Sequence, residues 1–315
     1  MRCNFNQALI INKMNLLFWT GKLSFPMRII IETNNILAWL TGNSRNKKAM
    51  KDRIKMGYDA TFSTHVTHYD ELAGEFQKRA AACQLYGIDL HGKELIDIGG
   101  GTGIAAFMAL ELGAKKVVCG DISEYMLERG REKAKNLGYD STRIEFCQLD
   151  AESLPFNDNR FDIVLTAMAF GLLPDQKKAV REMFRVLRPG GLVSLGAHGP
   201  EHYWEAIDTN LRAINKEYVL GYRLEFWPRT EKQIHSLMED SGFKDIRTNR
   251  FIWRNLFKSP KEACDFFSSV TSNWWFAKVP ENKRDQEYKK TQKYFESRGI
   301  NQVTDDIIVG YGLKD

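Results

Sequence analysis

A glycine-rich loop after a short apolar run is the part of this sequence best suited to chemistry. Residues 95–103 read Leu-Ile-Asp-Ile-Gly-Gly-Gly-Thr-Gly, which places Asp97 two positions before the first of four glycines. Residues without a Cβ let backbone N–H groups approach a ligand closely, above all where the loop opens a helix. The loop alone does not identify the ligand, because Gly101-x-Gly103-x-x-Ala106 also satisfies the dinucleotide pattern GxGxxG/A.

Further polar features follow later apolar runs of the chain. Asp121 stands twenty residues past Gly101, where a carboxylate could chelate ribose hydroxyls. Asp150 would suit an exocyclic amine on adenine, and its neighbour Ala151 offers a backbone N–H to the ring. A Pro-Gly-Gly turn at residues 189–191 precedes another apolar run. An aspartate after an apolar run is usually a turn or cap residue. Four features beside such runs, namely Asp97, Asp121, Asp150 and the Pro-Gly-Gly turn, together favour a nucleoside ligand.

Short apolar runs alternate with helical patterns through the body of the chain. The predicted strands are Glu94–Ile98, Lys116–Cys119, Ile144–Leu149, Phe161–Ala167, Leu192–Leu195, Asp245–Phe251 and Ile307–Tyr311. The predicted helices are Tyr69–Tyr86, Gly103–Leu112, Ser123–Leu137, Asp175–Leu187 and one opened by a capping box at Thr230–Gln233. This alternation predicts an α/β fold with a doubly wound parallel sheet. Ligands of such sheets lie beyond the carboxyl ends of the strands, so the polar residues just after each strand are the candidate site.

With these companions the sequence resembles the class I S-adenosylmethionine-dependent methyltransferases, in particular the group that includes the ubiquinone/menaquinone biosynthesis methyltransferases. The matching stretches are Asp97–Gly103, Gly120–Ser123, Asp150–Phe156, Phe161–Val164 and Arg185–Gly191. They lie within residues 94–196, about a third of the chain. The resemblance implies a seven-stranded Rossmann-like sheet with helical insertions that form a lid, and S-adenosyl-L-methionine as cofactor.

The resemblance also implies which residues bind the cofactor. They are Asp97, Gly99, Gly101, Gly103, Asp121, Ile122, Asp150, Ala151, Ala167 and Met168. The loop glycines would pass under the methionine and ribose part, with the acid before the loop nearby as an acceptor. The acid after the second strand would bind the ribose hydroxyls, and the pair after the third strand would read the adenine edge. The two residues after the fourth strand would flank the amino-acid end and the sulfonium.

The sequence also departs from particular members of that class. Residues 167–170 read Ala-Met-Ala-Phe and not the Asn/Asp-Pro-Pro-aromatic run of the amino-methylating DNA enzymes. Residues 57–90 lack the Tyr-Asp-x-Met-Asn signature of the quinone enzymes. The five cysteines do not fit arsenite methyltransferases. The motifs therefore specify the cofactor, while the small-molecule acceptor and the atom that is methylated stay open.

Methyl transfer from a sulfonium is an in-line displacement, which depends mainly on aligning the acceptor and excluding water. No fixed catalytic dyad is visible. His198, just past the fifth strand, is a candidate general base, although a lone histidine is more often structural. The candidates for binding the acceptor are Tyr58, Tyr69, His198, His202, Trp274 and Trp275. We expect the aromatic-rich insertions at residues 197–229 and 253–304 to form a helical lid over the acceptor.

Charge is unevenly distributed over the 315 residues. Residues 1–56 hold ten basic and two acidic residues, a net charge of +8, whereas residues 57–315 carry −3. We interpret residues 1–56 as a basic N-terminal extension of unknown role and residues 57–315 as the methyltransferase domain. The basic cluster at residues 45–55 of this extension is interpreted as a solvated linker. The alternative is that it binds an acidic partner or lipid headgroups. The acidic body argues against a nucleic-acid partner.

Other sequence features limit the cellular location and the class of protein. No apolar run approaches the roughly 18 residues of a membrane-spanning helix. The five cysteines are widely spaced and form no CxxC pair, which argues against structural zinc and disulfides and favours a reducing, cytoplasmic location. No metal site is predicted. Two alternatives remain: a nicotinamide-dependent oxidoreductase that uses the GxGxxA pattern, and a binding module that has lost catalysis. The oligomeric state is open.

Overall fold

A computed structural model describes residues 25–41, 46–64, 69–206, 213, 228–267 and 279–315. Its strands are β1 (Glu94–Ile98), β2 (Lys116–Asp121), β3 (Ile144–Gln148), β4 (Phe161–Thr166), β5 (Leu187–His198), β6 (Lys244–Leu256) and β7 (Gln302–Leu313). Its helices are α1 (Phe25–Leu40), α2 (Lys47–Thr64), α3 (Tyr69–Leu85), α4 (Ile104–Glu111), α5 (Glu124–Asn136), α6 (Gln176–Val186), α7 (Glu231–Glu239), α8 (Pro260–Phe266) and α9 (Glu281–Ser297). A 3₁₀ turn spans Phe170–Leu172.

The seven strands form one sheet in the order β3-β2-β1-β4-β5-β7-β6. The five strands from β3 to β5 are parallel, and β7 runs antiparallel to both β5 and β6. The chain order reverses between β1 and β4, which is where open α/β sheets bind their ligands. Apolar side chains cover both faces of this central region, so its strands read as nearly continuous apolar runs. The predicted seven-stranded α/β fold is confirmed.

Local capping chemistry sets the starts of several helices. The Ser123 side chain accepts a hydrogen bond from the Met126 N–H at 3.3 Å, and Asp175 accepts one from the Lys178 N–H at 3.1 Å. Both caps satisfy backbone donors that a helix start leaves unpaired. The predicted starts of α5 and α6 are confirmed.

The last strands are longer than their apolar patterns indicated. β6 pairs with β7 from Lys244 opposite Leu313 to Leu256 opposite Gln302. Most β6 side chains are partly or fully exposed, so its ends carry no apolar signal. The connection between the two strands is therefore residues 257–301, shorter than the predicted insertion of residues 253–304.

The helix α2 replaces the solvated linker expected at residues 45–55, and that interpretation was wrong. The division of the chain at residue 56 also falls inside this helix. The Lys51 Nζ lies 2.6 Å from Asp150 Oδ2 and 2.7 Å from Glu152 Oε2, and Lys47 pairs with Asp175. The basic residues of α2 thus neutralise acidic loops at the carboxyl edge of the sheet, a contact that a charge count could not reveal.

No helix within the described ranges is both long enough and apolar enough to cross a membrane.

Replacement of the α7 cap tests how local chemistry supports this fold. The Thr230 side chain accepts a hydrogen bond from the Gln233 N–H at 3.2 Å. We expect Thr230→Ala to lower the free energy of unfolding by about 1 kcal/mol, because one N–H of the first turn loses its acceptor. Urea unfolding measures the change. Ser236→Ala, at an exposed position within the same helix, is the matched control and should cost nothing. Equal effects of the two changes would contradict the capping role.

Candidate functional site

A cavity of about 170 Å³ lies at the carboxyl ends of the central strands. The structure brings most of the predicted cofactor-binding residues to its wall: Asp97, Gly99, Gly101, Asp121, Ile122, Asp150, Ala151, Ala167 and Met168. Of the predicted acceptor-binding residues, Tyr58, His198 and His202 line the same cavity. Gly103 is not part of the wall. Tyr69 opens α3 and its side chain lies outside the described residues, as do Trp274 and Trp275.

The glycine loop connects β1 to α4 through left-handed backbone. Gly99, Gly101 and Gly103 have φ of +73°, +56° and +85°, which other residues rarely adopt. A Cβ on Gly99 would lie 2.3 Å from the Cβ of Ala169, so this position has no space for a side chain. The Gly99 N–H donates to the Gly120 carbonyl oxygen at 2.7 Å, which fixes the loop against β2. Gly103 thus has a structural place as the residue before α4.

Asp121, at the end of β2, ties the glycine loop to the start of α5. Its Oδ2 accepts from the Gly101 N–H at 3.0 Å and its Oδ1 from the Ser123 N–H at 2.8 Å. Burial raises the pKa of Asp121 to about 6, although these backbone donors act in the opposite direction. The carboxyl group is therefore held in one orientation at the cavity wall.

Asp97 occupies a more unusual environment at the end of β1. Its side chain is fully buried, and neither carboxyl oxygen makes a hydrogen bond of ordinary geometry to a described residue, although the Ala106 N–H faces the group and favours its ionised form. Burial and then the nearby charge of Asp121 raise the pKa of Asp97 to about 7. Since a buried acceptor without a donor costs free energy, the cavity at this point fits a ligand that brings hydrogen-bond donors or a positive charge.

The helix α2 forms the part of the wall that contacts the loop after β3. Lys51, Ile54 and Tyr58 line the cavity, and Lys51 holds the Oδ2 of Asp150 while the Asp150 Oδ1 accepts from the Glu152 N–H at 2.9 Å. Burial, with the charge of Asp121, raises the pKa of the Tyr58 hydroxyl. Sequence reasoning identified Tyr58 but missed its neighbours one and two turns earlier. Their one-turn spacing on the same helix face was the available signal.

Two histidines form the opposite end of the cavity, beyond β5. His198 is 6% exposed and His202 is 2% exposed, and their ring centroids lie 4.5 Å apart. Burial, with the charge of Arg229, lowers the pKa of His198 to about 3 and lowers that of His202 well below its usual value. Both imidazoles are therefore neutral at physiological pH. Tyr203, whose ring packs on His202, completes this wall.

The remaining wall is largely apolar and comes from elements that carried no motif. Gln77 and Ala81 belong to α3, and Leu172, Leu173 and Pro174 belong to the segment after β4. No pattern in the sequence marked these residues, because their place depends on how α3 and the 3₁₀ turn pack against the sheet.

The described part of the insertion between β6 and β7 packs behind the histidine end of the cavity. Within residues 257–267 and 279–301 no residue lines the cavity, but the ring of Phe266 lies 5.8 Å from that of Tyr203. Phe266 also packs against Phe76 and Phe257. The insertion therefore supports the histidine end of the cavity, and a direct lid role stays a prediction.

Comparison with known proteins agrees with this geometry. Residues 96–195 match the family described as a methyltransferase domain. The ubiquinone/menaquinone biosynthesis C-methyltransferase UbiE of Pseudoalteromonas translucida (strain TAC 125) is 43% identical over 114 residues. That stretch is 35% of this chain and 45% of the relative, so less than half of the relative is matched.

Two solved structures share the fold over a larger part of the chain. A candidate methyltransferase of Bacillus halodurans C-125 aligns with a TM-score of 0.50 and 22% identity, covering 76% of this chain and 99% of its own. The phosphoethanolamine N-methyltransferase 2 of Haemonchus contortus, solved with phosphomonomethylethanolamine and S-adenosylhomocysteine, aligns with a TM-score of 0.50 and 20% identity. It covers 78% of this chain and 56% of its own.

The sheet order and the glycine loop define a Rossmann-like α/β fold. The glycine loop, Asp121 and Asp150 all lie within residues 96–195, the stretch that matches the methyltransferase domain, and this part of the chain is similar to class I S-adenosylmethionine-dependent methyltransferases.

Two glycine substitutions separate the steric collision at Gly99 from the strain of a left-handed backbone. Gly138 has φ of +77° and open space within 4 Å of the position that a Cβ would occupy, whereas Gly99 combines φ of +73° with a collision. We expect Gly138→Ala to lower the free energy of unfolding by about 1 kcal/mol through strain. Gly99→Ala should lose more and should also weaken binding of S-adenosylhomocysteine. Urea unfolding and calorimetry measure the two effects, and equal losses with unchanged binding would contradict the close approach.

The buried Asp97 predicts a pH-dependent stability of the ligand-free protein. Its pKa rises from 3.8 in an exposed chain to about 7 in the fold, so folding favours the protonated acid. Relative to Asp97→Asn, the wild type should therefore lose stability between about pH 4 and pH 7 and level off above. The loss should be on the order of 2–4 kcal/mol. Denaturant unfolding at several pH values tests this, with Asp285→Asn, an exposed aspartate of α9, as control. A difference independent of pH would refute it.

Proposed function

We propose that the protein transfers the methyl group of S-adenosyl-L-methionine to a small, partly apolar molecule. The observation that carries this proposal is the convergence of Asp97, Asp121 and Asp150, from three neighbouring strand ends, with the glycine loop on one cavity. The relatives are matched over less than half of their length, so their substrates do not transfer to this chain.

The residues of the cavity fit this cofactor part by part. The buried Asp97 would receive the hydrogen-bond donors of the amino-acid end, and the left-handed loop at Gly99 and Gly101 would give the ligand access to the backbone. Asp121 would bind the ribose hydroxyls. Asp150, fixed by Lys51, would meet the amino group of adenine. When bound, the cofactor would supply a methyl group already activated on a sulfonium.

The other end of the cavity supports an acceptor that is partly apolar. Met168 and the Leu172–Pro174 segment provide apolar surface, while His198 and His202 provide neutral polar groups. Ligand sites commonly combine an apolar lining with a few placed polar groups. The residues there would align the acceptor with the methyl group and exclude water, which are the main contributions a displacement needs. The two insertions, one after β5 and one between β6 and β7, would set acceptor choice.

The nicotinamide alternative accounts for fewer of these residues. A dinucleotide would use the glycine loop and Asp121, but it gives no role to the Asp150-Ala151 pair, both members of which line the cavity. An inactive binding module would keep the cofactor cavity and lack turnover, so cofactor binding alone does not distinguish it from the enzyme.

Direct binding tests the proposed cofactor. We expect S-adenosylhomocysteine to bind with micromolar-range affinity in calorimetry, and Asp121→Ala to weaken binding by about 1–3 kcal/mol because a polar contact of the ligand loses its partner. Glu128→Ala, an exposed acid of α5, should leave the affinity unchanged. In a thermal-shift measurement S-adenosylhomocysteine should stabilise the protein and NAD(H) should not. A folded sample that binds only NAD(H), or neither compound, would overturn the proposal.

A further inference from the structure

Two acidic side chains of the loop after β3 share one lysine of α2. The Lys51 Nζ lies 2.6 Å from Asp150 Oδ2 and 2.7 Å from Glu152 Oε2. The other oxygen of Asp150, Oδ1, accepts from the Glu152 N–H at 2.9 Å. Packing alone would not hold the Asp150 side chain, because it is 39% exposed. These two contacts, one on each oxygen, therefore fix the orientation of its carboxylate at the cavity wall.

Glu152 anchors the lysine from the other side. Its side chain is 5% exposed, and its Oε1 accepts from the Asp175 N–H at 2.8 Å. The carboxylate that holds Lys51 is thus tied to the start of α6. Burial acts to lower the pKa of Lys51, but the hydrogen bonds to Asp150 and Glu152 outweigh it and raise the pKa. The lysine therefore stays charged at physiological pH.

Contacts on either side of Lys51 fix the helix that carries it. Near the start of α2, Lys47 pairs with Asp175. Later in the same helix, Asp59 Oδ1 accepts from the Ser123 hydroxyl at 2.6 Å. Neither contact involves the carboxylate that follows β3. The lysine therefore keeps its place in the cavity wall whether or not that carboxylate turns.

A carboxylate held on both oxygens discriminates between purine bases. Each oxygen has a second lone pair, so Asp150 can accept from a ligand while it keeps its present partners. A 6-amino purine supplies a donor at that edge, whereas a 6-oxo purine presents a carbonyl oxygen there and a donor at the neighbouring N1. A carboxylate free to turn could follow that donor, but a fixed one cannot. Sites built to receive an N–H group reject an analogue that lacks it, because the acceptor is left unpaired.

We propose that Lys51 is a positioning residue that fixes Asp150 and thereby makes the site selective for a 6-amino purine nucleoside over its 6-oxo counterpart. This rests on the proposed cofactor and deepens it, because it names the residue through which the site would select adenosine. Without the ammonium group, the carboxylates of Asp150 and Glu152 would repel each other. Asp150 would then turn toward water or toward the N1–H of a 6-oxo base.

Lys51 acts through its carboxylate partner and not on the base. Two of the three hydrogens of its ammonium group are already donated to Asp150 and Glu152. A lysine that contacted the base would favour the 6-oxo form, whose carbonyl oxygen accepts hydrogen bonds. The two roles therefore predict changes of opposite sign when Lys51 is replaced.

A pair of nucleosides tests this role without knowledge of the methyl acceptor. The full-length protein is titrated in a calorimeter with S-adenosylhomocysteine and with S-inosylhomocysteine, in which an oxygen replaces the 6-amino group. We expect the wild type to bind the amino form about 10- to 100-fold more tightly, as one hydrogen bond to a charged group provides. Lys51→Met should lower this ratio about tenfold, a coupling typical of residues in contact. Lys51→Arg, which keeps a cation, should restore most of the ratio. Lys48→Met, at an exposed position of the same helix, should leave both affinities unchanged.

A double-mutant cycle shows whether the lysine works through Asp150. In Asp150→Ala the ratio should already be low, and adding Lys51→Met should change it no further. Equal affinity of the wild type for both nucleosides, an equal loss of both affinities in Lys51→Met, or additive effects in the cycle would overturn the inference. So would a rise of the ratio in Lys51→Met, which would mean that the lysine contacts the base. A wild type that binds neither nucleoside would instead overturn the proposed function.

Discussion

The buried carboxyl group of Asp97 is the constraint around which the cavity is built. It lies at the end of β1 where the sheet reverses its order, fully buried and without a partner of ordinary geometry among the described residues. In the ligand-free protein this group destabilises the fold whenever it is ionised. The surrounding strands and the glycine loop hold it in place at the wall of a cavity, so a ligand with suitable donors would recover the free energy that the fold loses there.

The same edge of the sheet carries further acidic residues, and their negative charge explains why the helix α2 is basic on the side that faces them. Asp150, Glu152 and Asp175 follow β3 and β4, and α2 places Lys47 and Lys51 against them. The Lys51 side chain is 20% exposed, and salt screens such a partly buried pair less than a fully exposed one. The helix α2 is thus part of the cavity wall and not an appendage to it.

The sequence was most informative where chemistry is local. The helix starts at Ser123 and Thr230 and the strand Glu94–Ile98 depend on residues a few positions apart, and the structure places them as the spacing predicts. Contacts across many residues left no such trace. Lys51 and Asp150 are 99 positions apart, and Asp305 lies in a strand whose apolar pattern covered only its second half. The roles of the predicted site residues depend on ligands and stay predictions.

The central claim is that Asp97 changes its ionisation when the cofactor binds. A ligand ammonium group beside this carboxyl would lower its pKa from about 7 toward that of an exposed acid, so binding near pH 6.5 should release protons. Calorimetry of S-adenosylhomocysteine in two buffers with different ionisation enthalpies measures that number directly. The account predicts a net release that Asp97→Asn abolishes. Binding with no proton release, or with a release unchanged in Asp97→Asn, would contradict it.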